Sequence, residues 1–467
     1  MESAATTAAL PRLVVAGLSG ESGKTLVSLA LLLEAGRRDL AVRAFKKGPD
    51  YIDAAWLEWA SGKPARNLDT YLMGFERAAC SFAWNGVSSG LNLVEGNRGL
   101  FDGLDARGTH STAELAKALR APVLLVIDAT KVTRTAAALV LGCQKLDPDL
   151  WIAGVIVNQV AGTRHARLIR EAVESVCGIP VVGVIPRASP GALLFSRHLG
   201  LVTPREHAEN EVLRCNLLDC VARHLEFDRL IEIARRADPL AIPPLPAVTA
   251  PAAGGLTIGY LTDSAFSFYY PENLEALRAA GAALLPISAL TSAALPDDLD
   301  ALYIGGGFPE THAQALSTNS GFLASIRHAA QAGLPVYAEC GGLMLLSRAL
   351  AWRGVTYPMA GVLPFEVEVC NTPQGHGYTE LLVDTANPFF SVGTRLRGHE
   401  FHYSRIVPAG DAPPTACAVL RGTGCFPGRD GVLAGNIYAA YTHVHALATP
   451  EWARGMLSAA RAARVAA

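Results

Sequence analysis

The chain has 467 residues, more than one hydrophobic core usually organises, so two or three domains are expected. Half of the residues are hydrophobic and the formal charge at neutral pH is −2, which leaves no general electrostatic case for nucleic acid or an anionic membrane. Apolar runs such as 136–141 are too short to span a bilayer and 1–10 shows no secretory signal. Nine scattered cysteines without a CxxC pair speak against a disulfide framework or a zinc site, so a reducing cytoplasm fits best.

Arg12-Leu13-Val14-Val15-Ala16 reads as a short apolar strand. It leads into Gly17-Leu18-Ser19-Gly20-Glu21-Ser22-Gly23-Lys24-Thr25 and then a helix over 26–34. Strand, glycine-rich loop and helix are the context that a phosphate loop requires. Backbone N–H groups around Gly20, Ser22 and Gly23 would cradle phosphates, Lys24 would meet the outer ones, and the Thr25 hydroxyl would ligate Mg2+. Five residues separate Gly17 from Gly23, one more than in the general pattern.

A second strand, 41–45, ends on Lys46-Lys47-Gly48-Pro49-Asp50-Tyr51-Ile52-Asp53. Charged residues at the carboxyl ends of strands in an open α/β sheet face the ligand crevice. Lysines suit an anionic substrate or the γ-phosphate, and aspartates suit Mg2+ or the orientation of a nucleophile. We expect Lys46 at the nucleotide, Asp50 at the metal, and Lys47, Tyr51 and Asp53 at the substrate. Arg66-Asn67-Leu68-Asp69 is a further polar cluster. The next strand, 91–94, ends on Glu95, the place for a metal-holding carboxylate. Apolar runs at 122–127, 152–157 and 180–186 alternate with helical stretches, which predicts βαβ units and a parallel sheet. Asn158 ends its strand, either to read an adenine edge or to cap a turn.

Composition shifts at Asp238. The Pro/Gly/Ala stretch 239–254 reads as a semi-rigid linker between a nucleotide-binding domain, 1–238, and a second α/β domain, 255–467. In the second domain, Val336-Tyr337-Ala338-Glu339-Cys340-Gly341-Gly342-Leu343 predicts a strand, a sharp turn carrying Cys340, and a helix. This layout lifts a nucleophile out of a sheet. A thiol at a helix start is expected to have a lowered pKa, and it needs a histidine base, which Tyr441-Thr442-His443-Val444-His445 supplies.

The longer motifs are AGLSGESGKT, FKKGPDYID, VEGNRGLFDG, SRHLGLV (196–202), AFSFYYPENL, IGGGFPE, AECGG, GHEFHYS and YTHVH. In this order they resemble the cobyrinic acid a,c-diamide synthase family from end to end. That resemblance implies an ATP-binding domain similar to dethiobiotin synthetase, fused to a class I-type glutamine amidotransferase domain. It implies glutamine hydrolysis at Cys340 through a thioester, with His443 as base and the Gly305-Gly306-Gly307 backbone stabilising the oxyanion. ATP and Mg2+ would then activate an acetate carboxylate of a tetrapyrrole-derived macrocycle as an acyl phosphate for the released ammonia. The wider class follows its histidine with Pro-Glu. Here His445 stands where that glutamate would be, which leaves the orienting acid unassigned and His445 as an alternative base. His399 and His402 are the other candidates for the base, each read first as orienting a loop or lying near an interface. A cobyrinate or hydrogenobyrinate ring is the first expectation. A sirohaem-type or nickel sirohydrochlorin ring is the second, and a homodimer is plausible by similarity. A ParA/MinD-like ATPase switch with an inactive amidotransferase module is the rival class. Ser19 stands where that class carries its second lysine, which weighs against it.

Overall fold

The computed structural model describes residues 6–187, 196–197, 200–207, 209–242 and 255–466. The chain divides into two compact units, Met1–Pro246 and Ala247–Ala467.

The first unit is built on a seven-stranded sheet. Its strands are β1 (Arg12–Gly17), β2 (Ala41–Lys47), β3 (Arg66–Leu68), β4 (Gly90–Glu95), β5 (Val123–Asp128), β6 (Ile152–Val160) and β7 (Val181–Pro186). The order is β3-β2-β4-β1-β5-β6-β7 and every pairing is parallel. The apolar runs are continuous rather than alternating because both faces are covered; all of β1 is buried. Helices α1 (Lys24–Arg37) and α2 (Tyr51–Ser61) follow β1 and β2, so 17–25 and 48–53 meet at the carboxyl edge of the sheet. The polar cluster at 66–69 resolves into the edge strand β3 and Asp69, whose carboxylate caps the helix Thr70–Asn85 by accepting from the N–H groups of Tyr71 and Leu72.

The linker expectation needs one correction. Leu240–Ile242 is a strand paired antiparallel with Thr6–Ala8, and the buried Arg12 guanidinium donates to the Asp238 carbonyl at 2.7 Å. Backbone pairing with the start of the chain holds this stretch to the first unit despite its prolines. Residues 243–254 lie outside the described residues, as do 198–199 of the SRHLGLV motif.

The second unit is organised by a ten-stranded mixed sheet. Its strands are β8 (Thr257–Leu261), β9 (Ala283–Ile287), β10 (Ala301–Ile304), β11 (Val336–Glu339), β12 (Gly375–Val383), β13 (Arg395–His402), β14 (Thr415–Arg421), β15 (Arg429–Ala434), β16 (Ile437–Ala440) and β17 (His443–Val444). The order is β9-β8-β10-β11-β16-β15-β14-β12-β13-β17, parallel from β9 to β16 and antiparallel beyond. Alternation along β10 and β11 divides the core. Leu302, Ile304, Val336 and Ala338 join one apolar cluster, while Ala301, Tyr303 and Tyr337 join another with Tyr438 and Trp452. Beside the sheet, Phe266–Phe268 pairs with Gly306–Gly307. The parallel half and the antiparallel half bring Cys340, at the end of β11, and β17 into one unit. No described helix is long and apolar enough to cross a membrane.

Candidate active sites

In the first unit, Gly23 caps α1 at φ +100°, and a Cβ there would lie 2.2 Å from the Asn158 amide nitrogen. Glycine is therefore needed both for the backbone turn and for the close approach. Asn158 Nδ2 donates to the Ser22 carbonyl at 3.1 Å, and its Oδ1 accepts from Gln159 N–H, so Asn158 clamps the loop from the end of β6. Ser22 is buried, with its hydroxyl on the Ser19 carbonyl, and Gly17 leaves the room that Ser22 fills. Lys24 Nζ donates to the Ser19 and Gly20 carbonyls at 2.7 and 3.2 Å. Burial, and next the charge of Lys46, lowers the Lys24 pKa to about 8.

The charged residues at the ends of β2 and β4 form one cluster. Lys46 Nζ reaches Asp53 Oδ2 at 2.6 Å, Glu95 Oε1 at 2.8 Å and the Gly96 carbonyl at 3.1 Å, and Lys46 and Glu95 are both buried. Burial opposes the Lys46 charge, but Asp53, Glu95 and Asp50 outweigh it, and its pKa is raised. Burial pushes the Glu95 carboxyl up. Removing one partner from such a buried pair typically costs about 3–5 kcal/mol. Asp50 Oδ1 accepts from the N–H groups of Ile52 and Asp53 as the cap of α2. Its pKa is raised to about 6, first by burial and then by Asp53. Lys47 is buried at the same edge, with its pKa lowered by burial. Tyr51 opens α2 beside it.

Thr25 Oγ1 donates to Glu95 Oε1 at 3.0 Å, while Glu95 Oε2 is buried without a hydrogen-bond partner. A buried carboxylate oxygen left open beside a phosphate-loop threonine suits a hard cation. Among the described residues no group of three or more His, Cys, Asp or Glu forms a metal cage. Mg2+ that keeps its waters and leans on phosphate oxygens does not need one.

In the second unit, Cys340 sits at φ +47°, ψ −98°, between β11 and the helix Gly341–Leu346. A non-glycine residue in this region stores about 1–3 kcal/mol of strain. The turn is held by Cys340 N–H to the Ala440 carbonyl and by Met344 N–H to the Cys340 carbonyl. The expected lowering of the thiol pKa is not what the structure shows. Burial pushes the thiol up, Glu310, Glu339 and Glu400 add to this, and the Gly341 N–H opposes it only in part.

Gly306 and Gly307 run past both candidate catalytic residues. A Cβ on Gly306 would lie 2.6 Å from His443 Cε1, and a Cβ on Gly341 would lie 3.0 Å from the Gly307 nitrogen. The expected triple of oxyanion donors needs correction, because Gly305 N–H is spent on the Tyr269 hydroxyl at 2.7 Å. Gly306 and Gly307 are the remaining candidates.

His443 is buried with Nδ1 3.5 Å from Glu339 Oε2, and its ring stacks on His399 at 5.0 Å. His445 is fully buried. Its Nδ1 accepts from Leu447 N–H, and its Nε2 faces Glu272 Oε2 at 3.6 Å. His402 Nδ1 meets the Ser404 carbonyl at 2.7 Å, and its ring lies flat on Tyr441. Several positioning residues went unread in the sequence. Asn273 bonds the Val444 carbonyl and the Ala446 N–H, Asp430 accepts from Tyr441 and Thr442, and Glu339 accepts from Val444 N–H. A polar residue inside an otherwise apolar run was the available signal: Glu339 closes the run Val336-Tyr337-Ala338.

Residues 13–201 match the CobQ/CobB/MinD/ParA nucleotide binding domain, and residues 257–451 match the CobB/CobQ-like glutamine amidotransferase domain. A protein named cobyrinate a,c-diamide synthase from Magnetococcus marinus is 43% identical, over 95% of this chain and 96% of its own. Proteins of the same name from Syntrophotalea carbinolica and Archaeoglobus fulgidus are 42% and 39% identical, over 97% and 95% of this chain and 99% and 96% of their own. The chain belongs to the cobyrinate a,c-diamide synthase family. As a member of that family it is an amide-forming ligase with a nucleotide-binding domain and a glutamine amidotransferase domain, and it carries out glutamine-dependent amidation. Full-length relatives that bear a synthase name leave the switch-ATPase reading without support.

Proposed function

We propose that this chain converts acetate carboxylates of a tetrapyrrole-derived macrocycle, cobyrinate or hydrogenobyrinate first, into carboxamides. ATP drives the reaction and glutamine supplies the nitrogen. The reading rests on one observation above the others: a charged phosphate-loop cluster and a strained cysteine turn occur in a single polypeptide.

At the cysteine turn, His443 takes the Cys340 proton as the sulfur attacks the glutamine side-chain amide. The proton passes to the departing ammonia, and water then releases glutamate from the thioester. The N–H groups of Gly306 and Gly307 serve the developing oxyanion. His445 is not assigned as the base, because both of its ring nitrogens are directed at Leu447 and Glu272.

A carboxylate is a poor electrophile, and ammonia in bulk water near neutral pH is mostly ammonium. The ring carboxylate is therefore phosphorylated first, and ammonia displaces phosphate from the acyl phosphate. Each amide consumes one ATP and one glutamine and yields ADP, phosphate and glutamate. Lys24 and the loop N–H groups hold the phosphates, and Asn158 keeps the loop in place and borders the cleft formed with Leu26, Ile185 and Val221. Thr25, Glu95 and Asp50 would hold Mg2+, which neutralises charge on the outer phosphates. Lys47 and Tyr51 meet the substrate carboxylate and Asp53 lies at the substrate side, while Lys46, expected at the nucleotide, is instead held by Asp53 and Glu95 and keeps them in register.

The test is mass spectrometry of products from cobyrinate, hydrogenobyrinate, sirohydrochlorin and sirohaem, with glutamine or ammonia. Each carboxylate converted lowers the mass by roughly one unit, so the spectrum counts amides. Conversion of cobyrinate or hydrogenobyrinate is expected. Conversion of a sirohaem-type ring alone would replace the substrate, and no conversion of any ring from either nitrogen source would overturn the reading.

A further inference from the structure

The amidotransferase half lacks the acid expected after its histidine, since His445 occupies that place and is turned toward Glu272. The geometry points to Glu339, the residue directly before the nucleophile, as the positioning residue that orients His443. The inference rests on the assignment of His443 as the base and deepens it.

Glu339 is fully buried at the end of β11. Its Oε2 lies 3.5 Å from His443 Nδ1 and accepts from the Tyr303 hydroxyl at 3.0 Å. Its Oε1 accepts from the Val444 N–H at 3.1 Å. One carboxylate thus accepts from the backbone just past His443 and faces its ring nitrogen at ion-pair distance, close enough to pair with the imidazolium once that forms. A carboxylate on Nδ1 favours the tautomer that carries its proton there, which leaves Nε2 free to accept from a thiol. The ring carbon between the two nitrogens faces Gly306, on the side where the amide would lie. The carboxylate also steadies the imidazolium that forms once the thiol proton is taken. This matters most at a thiol that burial and neighbouring carboxylates hold in its neutral form.

Chain order adds a mechanical argument. Glu339 and Cys340 are consecutive, so the strained turn that presents the sulfur also fixes the carboxylate that aims the base. Other titratable groups face the pair. His399 stacks on His443 and stays neutral, because burial holds its pKa well below the usual histidine value. Tyr303, Tyr337 and Tyr269 feel the Glu339 charge, and burial holds each phenol protonated. The Glu339 charge also acts on the Cys340 thiol, and His445 acts on His399.

The experiment measures glutaminase kcat and KM across pH for the full chain and for Glu339→Gln, Glu339→Asp, His443→Ala and the Glu339→Gln/His443→Ala double variant. Thermal unfolding is recorded for each. For Glu339→Gln, kcat is expected to fall by at least roughly 30-fold, with KM within about threefold. The acid limb of its pH–rate profile should move to lower pH, since the imidazolium has lost its counter-charge. Glu339→Asp should recover part of kcat and return the limb toward wild type. In the His443→Ala background, Glu339→Gln should cost no more than about twofold, because a residue that acts through His443 has nothing left to aim.

A Glu339→Gln kcat within about threefold of wild type, an unmoved acid limb, or losses that multiply in the double variant would overturn the proposal. Should Glu339→Gln not fold, Glu339→Ala takes its place under the same criteria: a kcat within about threefold of wild type with an unmoved limb sinks it. Wild-type glutaminase activity in His443→Ala would instead remove the base assignment on which the inference stands.

Discussion

The phosphate-loop cluster and the cysteine turn handle buried charge in opposite ways. At the loop, Lys46 faces Asp53 and Glu95 at hydrogen-bond distance, and Lys24 feels the charge of the same carboxylates while its ammonium is bonded to loop carbonyls. At the turn, the nucleophile is a neutral thiol surrounded by carboxylates, and its charge is suppressed. The difference follows from what each has to meet. A nucleotide arrives carrying its full negative charge, so cations must already be in place. A glutamine amide is neutral, and a thiolate is needed only at the moment of attack. Charge is standing in one site and generated on demand in the other.

Breaking each site separately gives the largest effects. Cys340→Ser should lower glutamine-dependent amidation by at least about 1,000-fold while ammonia at high concentration still supports product formation. Product mass spectrometry with each nitrogen source reads this directly. Loss of both activities in a folded variant would show that the labour is not divided. Lys24→Ala should do the converse, lowering amidation from both nitrogen sources by about 100- to 1,000-fold, as removal of one preorganised charge contact commonly does. An unaffected ammonia-dependent rate in that variant would remove the phosphate-loop assignment.

A smaller effect tests the crowding at the turn. Gly306→Ala places a methyl 2.6 Å from His443 Cε1, and Glu339 and His399 leave the ring little room to retreat. Glutaminase activity should fall by about 10- to 100-fold, with a stability loss of about 1–3 kcal/mol seen in thermal unfolding. A crowding account cannot survive wild-type glutaminase activity in this variant.

Much of this contrast was legible in the sequence, and the parts that were not share a cause. The strand–loop–helix of 12–37 and the strand–turn–helix around Cys340 are local. Periodicity and glycine placement specify them within a few residues, although α1 runs from Lys24 to Arg37 rather than over 26–34. The family resemblance offers the whole Gly305-Gly306-Gly307 run as oxyanion donors, Gly305 included. Only the fold reveals that Tyr269 takes its N–H. The thiol pKa was expected to fall because the helix start is a local feature. Burial is not local, and neither are the carboxylates of Glu310 and Glu400, so the direction reversed. Leu240–Ile242 looked like a linker because its partner, Thr6–Ala8, lies at the other end of the unit. Glu339 and Asn273 act across long sequence separations, which a reading by neighbours does not reach.

A pH measurement sharpens the comparison from the loop side. The folded Lys24 pKa of about 8 lies below the ordinary lysine value of about 10.5. Between those values the unfolded chain binds more protons, so this group's contribution to stability rises with pH across that window. It is lost again as pH falls toward about 8. Phosphates restore a counter-charge. ATP binding at about pH 9 should therefore take up a fraction of a proton, seen by calorimetry in buffers of different ionisation heat. Lys24→Ala should abolish that uptake, and an equal uptake in the variant would assign the proton elsewhere.

The smallest effect concerns the clamp that holds the loop without touching charge. Asn158 Nδ2 bonds the Ser22 carbonyl, and Gly23 leaves the space through which it does so. Asn158→Ala removes one buried hydrogen bond, worth about 0.5–1.5 kcal/mol, and leaves every ion pair of the cluster intact. The expected result is a KM for ATP raised by about two- to tenfold, with kcat nearly constant, because the loop stays competent but is less often in its binding shape. Steady-state kinetics at saturating ammonia isolates this from the cysteine turn. A large fall in kcat with KM unmoved would show that Asn158 contacts the reacting groups themselves. The distinction between standing charge and a neutral scaffold at this site would then have to be redrawn.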